Sequence, residues 1–288
     1  MKTLTFYSAT CLLAATLFIT SCKKEKQNEV QDTDTQTAQD NSLAEETFND
    51  VNNIANQAVE NGSLSTYRLS ENPNGILSSC ATVTITPDTA GTGGTVVVDF
   101  GSTPCFCNDY RFRKGIINIS YTGMYRDSGT VIEITFDNYY VGRDTSNMYK
   151  VTGTKTVTNR GHNTAGHTWF SIHVNGNLLK SSGQVLTWNS DRQREWTAGE
   201  STTGLLQWGD DEYMITGSVN GTGFNGNSFT LTITQALHVA LNCRWIKDGK
   251  FSLDISGKPT RFVDYGSGSC DNDATVTING FVFNITLP

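Results

Sequence analysis

Proline is scarce in this chain, five in 288 residues. Each proline would remove a donor from a β-ladder, so its scarcity leaves long stretches open to sheet formation. A surplus of positive charge is also missing: 21 Lys+Arg face 28 Asp+Glu, a formal net charge of −7. That balance disfavours a basic nucleic-acid binder, and no nucleic acid is expected among its partners. The 27 glycines show no period of three, and a 10% aromatic content supports a real core. Collagen-like and mainly disordered classes are thereby excluded. No Gly-x-Ser-x-Gly elbow, P-loop or dinucleotide fingerprint is present. The expectation is a protein that is not an enzyme and takes no cofactor.

What is present begins with an address. Lys2 supplies a positive start, and the apolar stretch Cys11–Ile19 is far shorter than the ~20 residues of a membrane span. The stretch ends Ile19-Thr20-Ser21-Cys22, which resembles the lipobox of bacterial lipoprotein signal peptides. That resemblance implies diacylation of the Cys22 thiol, cleavage before it and acylation of the new amino terminus. An ordinary signal peptide with an incidental cysteine is the weaker alternative, because the chain switches abruptly to Lys23-Lys24-Glu25-Lys26. Each buried CH₂ contributes ~0.8 kcal/mol, so several acyl chains make such an anchor close to permanent. The expected organisation is a signal peptide over 1–21 and a mature chain of 22–288. That chain loses only Lys2 among charged side chains, giving 20 − 28 = −8. Its membrane contact is through the N-terminal lipid.

Residues 22–41 hold almost nothing apolar and read as a lipidated, solvated tether. A helix is expected over 42–62. Ser42 and Glu45 fit a capping box, Phe48, Val51, Ala55, Ala58 and Val59 follow at helical spacing, and Gly62 is a stop. The apolar stripe should dock on the body that follows.

Over 63–288 the period changes to two. Ile132, Ile134 and Phe136 alternate with Glu133, Thr135 and Asp137; Phe229, Leu231 and Ile233 alternate with threonines. This is the pattern of antiparallel strands with one buried face, and about a dozen strands fit it. The fold class expected is all-β, a large sandwich or rolled sheet with one short N-terminal helix. Asn175-Gly176, Asp248-Gly249 and Asn279-Gly280 are candidate two-residue hairpin turns. There is also an internal echo. Thr95–Cys105, containing Val98-Asp99-Phe100-Gly101-Ser102, reappears as Thr260–Cys270, containing Val263-Asp264-Tyr265-Gly266-Ser267, at an offset of 165 (263 − 98 and 270 − 105). The same offset carries Gly115 onto Gly280, while Ala81–Ile85 recurs as Ala274–Ile278 at another. The favoured explanation is a duplicated element, 95–121 and 260–286.

Five cysteines remain after Cys22, and export places them in an oxidising compartment. The echo makes Cys105 and Cys270 equivalent, so bridges Cys80–Cys105 and Cys243–Cys270 are expected, with Cα separations near ~5–6 Å. Cys107 should face away from Cys105 and keep its thiol, although it could replace Cys105 in the first bridge.

Few residues suggest chemistry. His162, His167 and His173 lie close in sequence but lack helical zinc spacing, and they and His238 read as solvated histidines. Glu195/Glu200 and Asp210/Asp211 would serve glycoside hydrolysis only if folding opposed two carboxylates. Asp264, Asp271, Asn272 and Asp273 around a Gly-Ser-Gly loop are a weak calcium set. Trp188, Trp196 and Trp208 would stack on sugars if displayed on a concave surface, but core packing is the commoner use.

The lipobox, Val98–Gly101, Arg113-Lys114-Gly115, Val151–Asn159, Cys243-Arg244-Trp245-Ile246 and Asp264–Gly268 together resemble a group of uncharacterised lipoproteins from Bacteroidota. The resemblance implies an outer-membrane destination and brings no activity. Lys23-Lys24-Glu25-Lys26 is less acidic than surface-export signals of that phylum, so the periplasmic and cell-surface faces both stay open. The function expected is a lipid-anchored binding or structural module, with a glycan or an envelope protein as partner. The alternative is a glycan-acting hydrolase or glycan-binding lipoprotein.

Overall fold

The computed structural model describes residues 32–60, 81–202 and 208–287. Cys22, Gly62 and Cys80 lie outside them. Among the described residues one α-helix, α1 (Gln36–Glu60), precedes fourteen strands. These are β1 (Thr82–Pro87), β2 (Gly94–Asp99), β3 (Cys105–Phe106), β4 (Phe112–Tyr121), β5 (Val131–Gly142), β6 (Tyr149–His162) and β7 (Thr168–Leu179). They continue as β8 (Val185–Ala198), β9 (Glu212–Thr222), β10 (Ser228–Ala240), β11 (Asp248–Ile255), β12 (Arg261–Ser267), β13 (Asp273–Ile278) and β14 (Phe281–Thr286). Every pairing is antiparallel, and sheet order follows chain order from β1 to β14 with β3 a short branch on β4. β1 and β14 do not pair, so the all-β fold is a rolled, unclosed sheet with one helix.

The roll wraps α1. The helix is buried over most of its circumference, with Phe48, Val51 and Ala55 packed into the core and Asp40, Asn41, Glu45 and Asn52 buried beside them. A helix polar on one side is normally half solvated. Here the polar side meets charged groups that point inward from the strands. Arg192 of β8 donates to Glu45 Oε2 (2.6 Å), Arg113 of β4 to Asp50 (2.7 and 2.8 Å), and Trp188 Nε1 to Asn41 Oδ1 (2.9 Å).

The helix therefore begins earlier than the apolar pattern predicts, and residues 36–41 belong to it and not to a tether. Asp34 Oδ1 accepts the Gln36 N–H (3.0 Å) at its entry. The preceding residues are tied down as well: Asp34 pairs with Lys258 (2.7 Å), and Asp32 with the buried Arg261. Ser42 is not a cap. Its hydroxyl donates back to Ala38 O (3.1 Å) and lies 3.0 Å from Tyr265 Oη, while Glu45 is committed to Arg192.

Of the three candidate turns, Asn279-Gly280 is one: both residues have positive φ (50° and 82°), and Ile278 faces Phe281 across a two-residue hairpin. Asn175-Gly176 instead lies within β7, and Asp248-Gly249 begins β11 at a register shift. Tertiary packing overrides the turn signal at Gly176, as the helix contact below explains.

The echoes pair with each other. Thr82↔Asp99 and Val83↔Val98 in β1–β2 match Thr275↔Asp264 and Val276↔Val263 in β13–β12. Asp99 Oδ1 and Asp264 Oδ1 each accept an N–H two residues on, from Gly101 (2.7 Å) and Gly266 (2.9 Å). Yet β1 precedes its partner and β13 follows its own, so the match is one of register and not of chain order. It also stops short of Gly115, whose N–H bonds Gly101 O (2.7 Å) inside the sheet, whereas Gly280 sits in a hairpin turn. A tandem copy of 95–121 as 260–286 does not describe this arrangement. The correspondence spreads across the sheet instead. Val98↔Ile117 matches Val263↔Phe251, Ile134↔Lys155 matches Leu231↔Val219, and Gly153↔Gly176 matches Gly217↔Arg192. The series converges on Val174↔Ser190 between β7 and β8. The two halves of the roll are thus related by a twofold of register about that pair.

Candidate functional site

One face of α1 is not covered by strands over its full length. Ser42, Glu46, Asn49, Asp50 and Asn53, which recur at helical spacing, floor a cleft of about 460 Å³. One wall is the turn between β3 and β4, with Asp109, Tyr110 and Arg111; the other is the β10–β11 connection, with Leu241, Trp245 and Ile246. Tyr110 is held at φ 62° and its side chain stands out at 75% exposure. A non-glycine residue in the left-handed region is strained and marks a place where surrounding structure dictates the backbone.

The predicted Cys243–Cys270 disulfide closes the cleft's far end, with Cα atoms 5.7 Å apart. It joins the connection after β10 to the one after β12. Cys105 is disulfide-bonded too, and Cys80, its expected partner, lies outside the described residues. Cys107 faces the same buried side as Cys105, not the opposite one, and Phe106 between them is exposed. That is what a period of two requires for residues two apart. The Cys107 Sγ lies 3.8 Å from Cys105 O.

Beneath the cleft lies an ion network. Arg111 and Arg244 both donate to Glu46 Oε1, the latter at 2.7 Å. Arg113, fully buried, donates to Asp50 and to Asp109 (2.5 and 2.7 Å). Burial alone would lower the Arg113 pKa; Asp50 and Asp109 outweigh it and hold the guanidinium well above its usual value. Burial likewise works to raise the Asp109 carboxyl, but Arg113 and Arg111 hold it below the usual range. Such a network is rigid, because removing any member strands a buried charge.

The other predicted residues stand apart from this cleft. Each histidine meets a carboxylate: His162 with Glu200 (3.4 Å), His167 with Glu195 (2.7 Å), His173 with Asp191 (2.7 Å) and His238 with Glu212 (3.0 Å). Hydrogen bonds from Asn163 and His167 lower the Glu195 pKa. Glu195 and Glu200 are thus occupied by separate histidines, and Asp211 accepts from Trp196 (3.2 Å) while Asp210 accepts from Thr202 (3.1 Å). Asp264 pairs with Lys250 (2.8 Å), and Asp271 Oδ1 accepts its own loop's Asp273 N–H (3.0 Å). Among the described residues no three His, Cys, Asp or Glu side chains gather as a metal would need. Trp188 and Trp196 are core residues. A broad depression of about 670 Å³ on the outer face of β6–β9 is lined by Thr156, Arg160, His173 and Asp191 among others, with no Trp, Tyr or Phe.

Alternation reasoning passed over Glu46, Asp50, Arg111, Arg113 and Arg244. The available signal was charge in the wrong phase: Arg192 and Arg194 share the inward parity of Trp188 and Trp196, and Lys155 that of Val151 and Val157. A second signal was an α1 with acids and no Lys or Arg.

Compared with known proteins, the chain matches no family model, no curated protein and no solved structure.

Proposed function

We propose that this protein is a lipid-anchored outer-membrane lipoprotein, held through Cys22, that works as a non-enzymatic binding module by taking a small ligand into the cleft over α1. The observation that carries the binding role is the cleft itself. Its volume lies in the ~300–1,000 Å³ range of ligand sites, with apolar walls and a few converging polar groups. A disulfide and a buried ion network brace it before any ligand arrives, so little ordering entropy opposes binding. The anchor rests on the lipobox and on the short apolar stretch before it. A glycan-acting role draws less support, because Trp188 and Trp196 pack inside the roll.

Two experiments test this reading. Cys22→Ala should move the protein from the membrane to the soluble fraction; a variant that stays in the membrane with unchanged detergent dependence refutes the anchor. For the cleft, a neutral apolar dye such as Nile red should bind the wild type and be lost in Leu241→Glu. Equal binding to both proteins would place the dye elsewhere and remove the basis for the module.

A further inference from the structure

Beside the main cleft lies a second cavity of about 190 Å³, between α1 and the β5–β6 turn. The two cavities share three wall residues, Glu46, Arg111 and Arg244. Their characters differ. The larger presents Val239, Leu241, Trp245, Ile246 and Leu287, together with the bridge. The smaller adds Arg143 and Asp144 to the shared arginines, along with Leu43, Val141 and Tyr149.

The charges in the smaller cavity are unequally answered. Arg111 and Arg244 converge on one oxygen of Glu46. Asp144 spends both oxygens on its own turn, accepting from Ser146 N and Asn147 N (2.8 Å each) and from Asn147 Nδ2 (3.2 Å to each oxygen). Among the described residues Arg143 has no carboxylate within ion-pair reach, the pairs of this region being those of Arg111, Arg113 and Arg244. Burial and the neighbouring Arg244 push its guanidinium pKa down, with Glu46 acting the other way. Three guanidiniums (Arg111, Arg143 and Arg244) thus line the smaller cavity against two carboxylates (Glu46 and Asp144), leaving it one positive charge in excess on a protein of net charge −7. Guanidinium groups in this disposition match the two-oxygen face of a carboxylate or phosphate.

We infer that the two cavities form one composite site for an anionic amphiphile, whose carboxylate or phosphate lies between Arg143 and Arg244 and whose apolar chain lies along Leu241, Trp245 and Ile246. This deepens the binding reading above and rests on it. The charged end gives orientation and selectivity, and the chain gives most of the affinity through apolar burial.

Calorimetric titration tests it on the full chain carrying Cys22→Ala, using laurate, dodecyl phosphate and the uncharged dodecyl maltoside, each below its micelle concentration. Laurate or dodecyl phosphate should bind at least about tenfold more tightly than the maltoside, the gain of a charge-assisted pair; which of the two leads tells carboxylate from phosphate. Arg143→Gln, exposed and outside the buried network, should erase that preference by bringing laurate and dodecyl phosphate down to the level of the maltoside, and Arg143→Lys should retain part of it. Equal binding of all three amphiphiles, or a preference that survives Arg143→Gln, overturns the anionic site but leaves the module standing if Nile red still binds. No binding by any amphiphile or by the dye overturns both.

Discussion

The ring of Phe48 lies flat on the indole of Trp188, with centroids 5.4 Å apart and planes within 5° of parallel. The sheet leaves room for that stack by omitting side chains. Gly176 faces Trp188 on one neighbouring strand and Gly221 faces it on the other. A Cβ added at Gly176 would sit 2.1 Å from Phe48 Cζ. The stack is where helix and roll interlock.

Gly176→Ala should therefore destabilise the fold by about 2–3 kcal/mol, the usual cost of overpacking a core. Urea unfolding measures it. Adding Phe48→Leu should recover part of the loss by shortening the ring that collides. A single Gly176→Ala change within ~0.5 kcal/mol of wild type would show that the helix does not press on β7.

Lys155 is enclosed by the roll, and its Nζ donates to Phe48 O (2.8 Å). Burial, then Arg194, push its pKa down to about 7, against Glu45. Between that value and an unfolded ~10.4 the unfolded chain holds a proton that the folded chain lacks. Stability from this group therefore rises with pH across the window, and the penalty is complete below pH 7. Lys155→Met should be more stable than wild type at pH 6, by up to about 5 kcal/mol, with the difference shrinking toward pH 10. Parallel urea curves at pH 6, 8 and 10 decide it, and a difference independent of pH contradicts the assignment.

Asp50 and Asp191 provide a contrast in what an ion pair contributes. Asp50→Asn leaves buried Arg113 and Arg111 short of a counter-charge and should cost about 3–5 kcal/mol. Asp191→Asn removes an exposed partner of His173 and should cost no more than ~0.5 kcal/mol. Similar losses in the two variants would mean that the network under the cleft is solvated.

Removing the 27-residue link with Cys243→Ser and Cys270→Ser together should cost about 3 kcal/mol by the chain-entropy argument. It should also loosen the cleft, weakening Nile red binding. Non-reducing peptide mapping should recover Cys243 with Cys270 and Cys105 with Cys80. A Cys107 peptide in either bridge contradicts this pairing.

The strands were legible because burial on one face leaves a mark of period two. Ile132 and Ile134 are buried and Glu133 between them is exposed. The helix was half legible. Phe48, Val51 and Ala55 carry an apolar stripe, but the turns before them are held by Asp34, Asp40 and Asn41, which look like solvated residues until a partner far along the chain is known. Asp40 shows the difficulty: its Oδ2 accepts the Phe224 N–H (2.8 Å), 184 positions away. Asn175-Gly176 failed as a turn for the same reason, since the residue that needs its small size is Phe48. The cleft was the least legible part, because its residues come from the helix and two connections that only the curvature of the roll brings together.

The twofold of register has a consequence for direction. A half-turn about the Val174–Ser190 pair carries the pairing of β1, β2 and β4–β7 onto that of β8–β13, with β3 and β14 unmatched, but would reverse any rod threaded through it. Backbone geometry alone thus gives a helix two ways to lie in the lumen, end for end. Side chains remove the ambiguity by placing charge at only one of two corresponding positions, in either half. Arg192 corresponds to Gly176, Arg261 to Val96 and Lys155 to Val219 under the pairing equivalences. In the observed sense Glu45 meets Arg192, Asp32 meets Arg261 and the Phe48 carbonyl meets Lys155. Turned around, Glu45 would face a glycine and Asp32 a valine, a buried and a half-buried carboxylate with no cation. The polarity of the thread is written in the asymmetry of its sleeve, and exchanging Arg192 with Gly176 would rewrite it.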